Sequence, residues 1–121
     1  MTQRILVVED TEDNRQIIRD LLTSVGYELI EAVDGAEGVA MAQSERPDLI
    51  LMDMQLPQID GYEATRRIRA IPELAKVPII AVTSYALSGD EAKTREAGCD
   101  GYVAKPFSPR QLLAKIREFL P

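Results

Sequence analysis

The chain has 121 residues, 45% of them hydrophobic and 28% charged, and a formal net charge of −6. That length predicts one domain, residues 1–121, and the apolar fraction excludes a disordered chain. The acidic balance, with no basic stripe and few aromatics, argues against nucleic acid or an anionic membrane surface as partner.

Two features of the composition narrow the chemistry further. There is no histidine, which removes Ser-His-Asp and Cys-His triads and any imidazole metal site. The one cysteine, Cys99, admits no internal disulfide and fits a reduced, cytoplasmic setting. The opening MTQRILVVED lacks the shape of a signal peptide, and no apolar run approaches the ~18 residues of a membrane span.

In chain order, the first apolar run is Ile5–Val8, which ends in Glu9-Asp10. A helical face of Ile17, Ile18, Leu21, Leu22 and Val25 follows, with Gly26 as its stop. The second run, Leu29–Ala32, leads through Asp34-Gly35 into a helix carrying Val39, Ala40 and Met41, closed by Arg46-Pro47. The third, Leu49–Met52, runs directly into Asp53. The helix after it carries Ala64, Ile68 and Ile71 and stops at Pro72. The fourth, Ile79–Val82, ends in Thr83-Ser84. Ser88 with Glu91 predicts a capping box for the next helix, which Gly98 ends. The fifth, Tyr102–Ala104, ends in Lys105-Pro106. Ser108, Pro109 and Gln111 form a second capping box, and Leu112, Leu113, Ile116, Phe119 and Leu120 give the last helix its core face.

Mostly unbroken apolar runs suit strands covered on both sides. Five strand–helix repeats predict an α/β fold, a doubly wound five-stranded parallel sheet with five helices and right-handed crossovers. Such sheets place their sites beyond the carboxyl ends of the strands. Those ends carry Glu9, Asp10, Asp53, Thr83 and Lys105; the second strand contributes nothing. Each residue alone has an ordinary explanation, as a helix-capping acid, a turn aspartate, a strand-end hydroxyl or a solvated loop lysine. Their coincidence on one edge favours a site. Three carboxylates together repel, and Lys105 offsets one charge. Oxygen ligands without His or Cys favour a hard divalent cation, Mg²⁺ first and Mn²⁺ as the alternative. A carboxylate so placed is a nucleophile toward phosphorus, and Thr83 is a donor for a phosphoryl oxygen.

The segments VVED (7–10), LILMDMQLPQIDGYE (49–63), IIAVTSYA (79–86) and GYVAKPFS (101–108) resemble the receiver domain of two-component response regulators over essentially the whole chain. The resemblance implies the flavodoxin-like strand order 2-1-3-4-5, as in the family's chemotaxis member. It implies Asp53 as phosphate acceptor and Asp10 as a direct Mg²⁺ ligand, with Glu9 acting through a metal-bound water. Asp53 and the backbone carbonyl of Gln55 would complete the protein ligands. Lys105 would pair with Asp53 or its phosphoryl group, through a segment whose bond to Pro106 is cis. Thr83 and Tyr102 match the switch pair, and small Ser84 would leave the phosphoryl group accessible. Gln55 and Tyr85 occupy the two positions that tune phosphate lifetime. The stretch GDEAKTREAGCDGYVAKPFS is similar to that of stand-alone cell-division receivers and of receivers fused to hybrid kinases.

The expected partners are a sensor histidine kinase or histidine phosphotransfer protein and a downstream protein target. With no room for an output domain, the expected signal is protein–protein contact, from a monomer or a phosphorylation-dependent homodimer, and not catalysis on another substrate. Three rivals fit less well. A flavin or nucleotide binder needs a glycine-rich loop where this chain has EDTEDN, whose acids repel phosphate. An aspartyl-nucleophile phosphatase resembles this chain in chemistry but carries an acid where this chain has Gln55. A phosphorylation-independent scaffold would not need the complete set of acids, threonine and lysine.

Overall fold

The computed structural model describes residues 2–84 and 90–121. Among these, five strands alternate with helices: β1 (Arg4–Val8), α1 (Glu12–Ser24), β2 (Glu28–Ala32), α2 (Gly35–Glu45), β3 (Leu49–Asp53), α3 (Gly61–Arg69), a 3₁₀ turn (Pro72–Leu74), β4 (Ile79–Thr83), α4 (Asp90–Ala97), β5 (Gly101–Ala104) and α5 (Pro109–Phe119). The strands form one sheet in the order β2-β1-β3-β4-β5, every neighbouring pair parallel. The doubly wound fold and its strand order therefore match the sequence reading.

The unbroken runs follow from position in the sheet. β3 and β4 are buried at every residue, so no face of either tolerates a polar side chain before its end. Edge strand β2 is partly open, and there Glu31 interrupts the apolar run and pairs with Arg15 and Arg19. Alternate strand residues feed two cores. Leu6, Val8, Ile50, Met52, Ile79 and Ala81 pack with Ala42, Ala64 and Ile68 of α2 and α3. Ile5, Val7, Leu49, Leu51 and Ile80 pack on the other face with Ile18, Leu22, Leu112 and Ile116 of α1 and α5.

The helix ends follow local chemistry. Asp34, Asp60 and Ser108 cap α2, α3 and α5 by accepting from the backbone N–H three residues on, and Ser108 with Gln111 completes the predicted capping box. The capping box predicted at Ser88 lies outside the described residues. Gly26, at φ +95°, closes α1 where the sequence placed its stop.

Two helical faces differ from expectation. In α1, Ile18 and Leu22 are buried, but Ile17 is 61% exposed and Val25 is also exposed. Ile18 and Leu22, four apart, form the ridge on the sheet; Ile17 is rotated off it. In α2 the buried positions are Gly35, Gly38 and Ala42, while Ala40 faces outward. A Cβ on Gly38 would lie 2.8 Å from the Val8 side chain, so small residues let α2 sit close on β1.

Candidate phosphoryl-transfer site

The carboxyl ends of β1, β3, β4 and β5 meet on one edge. Parallel register sets Asp53 opposite Val82 and Thr83 opposite Ala104, so the residues just beyond these ends share a small space. Met54 N–H donates to the Val82 carbonyl at 2.9 Å and Lys105 N–H to the Thr83 carbonyl at 2.7 Å, extending the ladder past the strands. Asp53 is only 3% exposed, held in place because it continues a strand with no exposed face.

Its carboxylate is fixed at both oxygens. Oδ1 accepts from the Gln55 backbone N–H at 2.9 Å, and Oδ2 from Lys105 Nζ at 3.1 Å. Lys105 Nζ also donates to Glu9 Oε1 at 3.2 Å. Burial alone would depress the Lys105 ammonium's pKa, but the charges of Asp53 and Glu9 outweigh it and hold the pKa above its usual value. The Lys105–Pro106 bond is cis.

Glu9, also buried, has its own supports. Its Oε2 accepts from Thr11 N–H at 3.0 Å, and Asn14 Nδ2 lies 3.4 Å from Oε1. Arg15, buried and paired with Glu12 and Glu31, donates to the Glu9 carbonyl at 2.8 Å. Asp10 is more open. Desolvation at the site, then the hydrogen bond and charge of Glu9, raise its pKa above the ordinary carboxylate value.

Glu9, Asp10 and Asp53 each bring a carboxylate oxygen within 4.8 Å of the others. Among the described residues a single ammonium, that of Lys105, pairs with this group, so negative charge is in excess. The donors are all oxygen; Cys99 sits in the α3 core cluster beside Thr65 instead. The set fits a hard divalent cation, which would neutralise the surplus.

Thr83 is fully buried at the end of β4, and Gln55 Nε2 donates to its hydroxyl at 2.9 Å. The same amide accepts at Oε1 from the Ser84 N–H at 3.0 Å. Tyr102 is half-buried against the α2–α3 core, opposite Ala81 in the sheet. Tyr85 lies outside the described residues. A cleft of about 500 Å³ opens beside the carboxylates, lined in part by Glu9, Asn14, Ile17, Lys105 and Phe107.

The fold thus gathers Glu9, Asp10, Asp53, Thr83 and Lys105 from the strand ends, together with Gln55, which the family resemblance had implied. The supports were not foreseen: Arg15 and Asn14 under Glu9, and the Gln55 side chain on β4. Arg15 carried a sequence signal, since its helical spacing from Glu12 marks an ion pair. The Gln55 contact carried none, because its partners lie 28 and 29 residues away.

The family model for the response regulator receiver domain matches residues 5–117. The polar-differentiation response regulator DivK of Brucella ovis is 42% identical over 120 residues, covering 99% of this chain and 98% of that protein. Among solved structures, the receiver domain of a sensor histidine kinase from Pseudomonas aeruginosa, with magnesium coordinated in its active-site cleft, superposes with a TM-score of 0.92. It is 42% identical and covers 99% of this chain and 98% of that one. The chemotaxis protein CheY4 of Vibrio cholerae superposes with a TM-score of 0.93 at 29% identity, covering 98% of this chain and 99% of that one. Among the described residues no helix is long and apolar enough to cross a membrane. The chain belongs to the response regulator receiver family, the signalling domains of two-component phosphorelays.

Proposed function

We propose that Asp53 accepts a phosphoryl group from the phosphohistidine of a sensor histidine kinase or a histidine phosphotransfer protein. One observation carries this reading: a nearly buried carboxylate, fixed at both oxygens, ends the central strand beside Lys105 and two further acids. An Asp53 oxygen attacks phosphorus; the P–N bond breaks, its electron pair stays on the imidazole, and that nitrogen takes a proton from water. Fixing the nucleophile lowers the entropic part of the barrier. The Lys105 ammonium, held protonated by Asp53 and Glu9, meets the charge of the transferred group.

Glu9, Asp10, Asp53 and the Gln55 backbone carbonyl would hold Mg²⁺, or Mn²⁺ in its place. A cation bound there neutralises phosphoryl oxygens and the surplus carboxylate charge. Magnesium is favoured because the donors are all oxygen and the related kinase receiver holds it in its cleft.

Once Asp53 is phosphorylated, the Thr83 hydroxyl turns to a phosphoryl oxygen and Tyr102 packs inward. That biases the face built from α4, β5 and α5 toward one of two states, and a downstream protein binding one state better reads the signal. Gln55 and Tyr85 tune how long the phosphate lasts. Residues 1–121 act here as one receiver unit, in the cytoplasm, catalysing only their own phosphorylation and dephosphorylation.

The test is acetyl phosphate with Mg²⁺, followed by intact mass. The expected result is a gain of one phosphoryl group in the wild type and none in Asp53→Asn. No gain by wild-type protein at saturating phosphodonor sinks the reading.

A further inference from the structure

The side chain of Gln55 spans the site. Its Oε1 faces the Ser84 N–H at 3.0 Å, and a backbone N–H can only donate, which settles which end of the amide is oxygen. Its Nε2 is then the donor to the Thr83 hydroxyl at 2.9 Å, and that hydroxyl accepts. The backbone of the same residue donates to Asp53 Oδ1. One residue therefore joins the end of β3 to the end of β4 at three points.

Phosphoryl oxygens only accept hydrogen bonds. A phosphoryl group on Asp53 would call on the donors at the end of β4, the Thr83 O–H and the Ser84 N–H. In the unphosphorylated chain the second of these is held by Gln55 Oε1, and the hydroxyl oxygen that carries the first is held in place by Gln55 Nε2, although its own proton stays a donor. The Thr83 carbonyl is tied to Lys105 N–H at 2.7 Å, so the backbone on that side is anchored. Movement must come from the Thr83 side chain and from Ser84, the two groups that Gln55 holds.

We propose that the Gln55 side chain is a latch on the unphosphorylated state: its amide holds the Thr83 hydroxyl and the Ser84 N–H, and phosphorylation must break both bonds before the switch can turn. Gln55 is a positioning residue in this sense, acting through Thr83 and Ser84. The latch rests on the reading of Asp53 as phosphoacceptor and Thr83 as switch. It differs from a lifetime role, because it sets how often the unphosphorylated protein visits the active state. Each released hydrogen bond shifts a two-state balance by a factor of a few, so losing the latch should raise that population about threefold to tenfold.

The experiment follows Tyr102 ring and Ser84 amide resonances in wild type, Gln55→Met and Gln55→Asn, before and after acetyl phosphate with Mg²⁺. Methionine keeps the length and the backbone carbonyl but has no amide. Asparagine is one methylene shorter and reaches only one partner. Unphosphorylated Gln55→Met should move toward the phosphorylated position at Tyr102 by about threefold to tenfold in population, with Gln55→Asn moving less in the same direction. If Gln55→Met does not fold, the Gln55→Asn shift carries the test. Unphosphorylated spectra that stay at the wild-type position overturn the latch. So does a change confined to the rate of phosphate loss. Failure of the wild type to gain phosphate overturns the underlying reading of Asp53 instead, so the two failures are distinguishable.

Discussion

The two edges of the sheet each hold a polar network, and they are built on opposite terms. At the amino ends of β4 and β5, Arg69 donates to the carbonyls of Gly98 at 2.8 Å, Leu74 at 3.0 Å and Val77 at 2.7 Å. It also pairs with Asp100 at 2.6 Å, whose same oxygen accepts the Ile79 N–H at 3.0 Å. One cation meets one carboxylate, and three carbonyls are satisfied by the same fork. At the carboxyl ends, one ammonium faces Glu9 and Asp53, with Asp10 alongside. In the first network one cation is matched by one carboxylate and by the carbonyls around it. The second is short of positive charge and has room beside it. A complete polar network holds a fold together; an incomplete one asks for a ligand.

The comparison is broken most severely by Arg69→Ala. It takes the shared donor from three part-buried carbonyls and leaves the exposed Asp100 carboxylate to water, and should destabilise the protein by about 2–4 kcal/mol. Urea unfolding measures this. The molecules that remain folded should still gain a phosphoryl group from acetyl phosphate. Loss of uptake in folded protein would show that the edges are not independent. Gly61→Ala strikes the other edge. A Cβ there would sit 2.3 Å from the Asp53 carbonyl oxygen and 2.7 Å from Met54 Cα, backbone atoms that give way only if the chain itself moves. The loop from Asp53 to Gly61, which carries Gln55, must shift. A loss of about 1–3 kcal/mol in stability is expected, with slower phosphoryl uptake. Uptake at the wild-type rate would mean that the loop's position does not matter to the chemistry.

These edges also differ in how far the sequence revealed them. Asp53, Thr83 and Lys105 stood out because they end apolar runs, and a parallel sheet collects strand ends. Arg69 did not, since three of its four partners are carbonyls and its carboxylate lies 31 residues on. Nothing local marks a residue whose partners are assembled by the fold. The same limit hid the Gln55 side chain. Ile17 failed differently: helical spacing gives the width of an apolar face but not its centre, so the residue at its margin was assigned to the core. The strands were the most legible elements because burial on both sides leaves their composition little freedom.

Cys99 sharpens the contrast from inside the core that lies between the two edges. It is buried beside Thr65, with its Sγ 3.8 Å from the hydroxyl. Burial pushes its thiol pKa from 9.0 up to about 11, against the smaller opposing effects of the Thr65 hydrogen bond and Arg69. Two units mean about a hundredfold less thiolate near pH 8 than in the unfolded chain. Alkylation of the native protein by iodoacetamide should be slower by at least that factor than in urea. Comparable rates would place Cys99 in a far more open setting. The linkage has a definite sign: a pKa raised by folding gives stability that is full below pH 9 and lost as pH rises through about 11.

The smallest effect tests the surplus charge itself. Asp10 has a raised pKa, from desolvation and from Glu9, so folding favours its protonated form. Its contribution to stability is present below 3.8 and lost as pH rises through the higher folded value. At neutral pH and without metal, ionised Asp10 therefore destabilises the fold slightly. Asp10→Asn removes that charge without touching either partner of Lys105. In EDTA at pH 7 the variant should be more stable than wild type by no more than about 1 kcal/mol, because Asp10 is solvent-exposed. The advantage should fade as pH falls toward 3.8. Added Mg²⁺ should reverse the order, since a cation that binds the folded state stabilises it by mass action and Asn offers it a weaker ligand. If Asp10→Asn is instead less stable in EDTA, the carboxylates are already balanced without a metal, and the difference between the two edges is one of shape and not of charge.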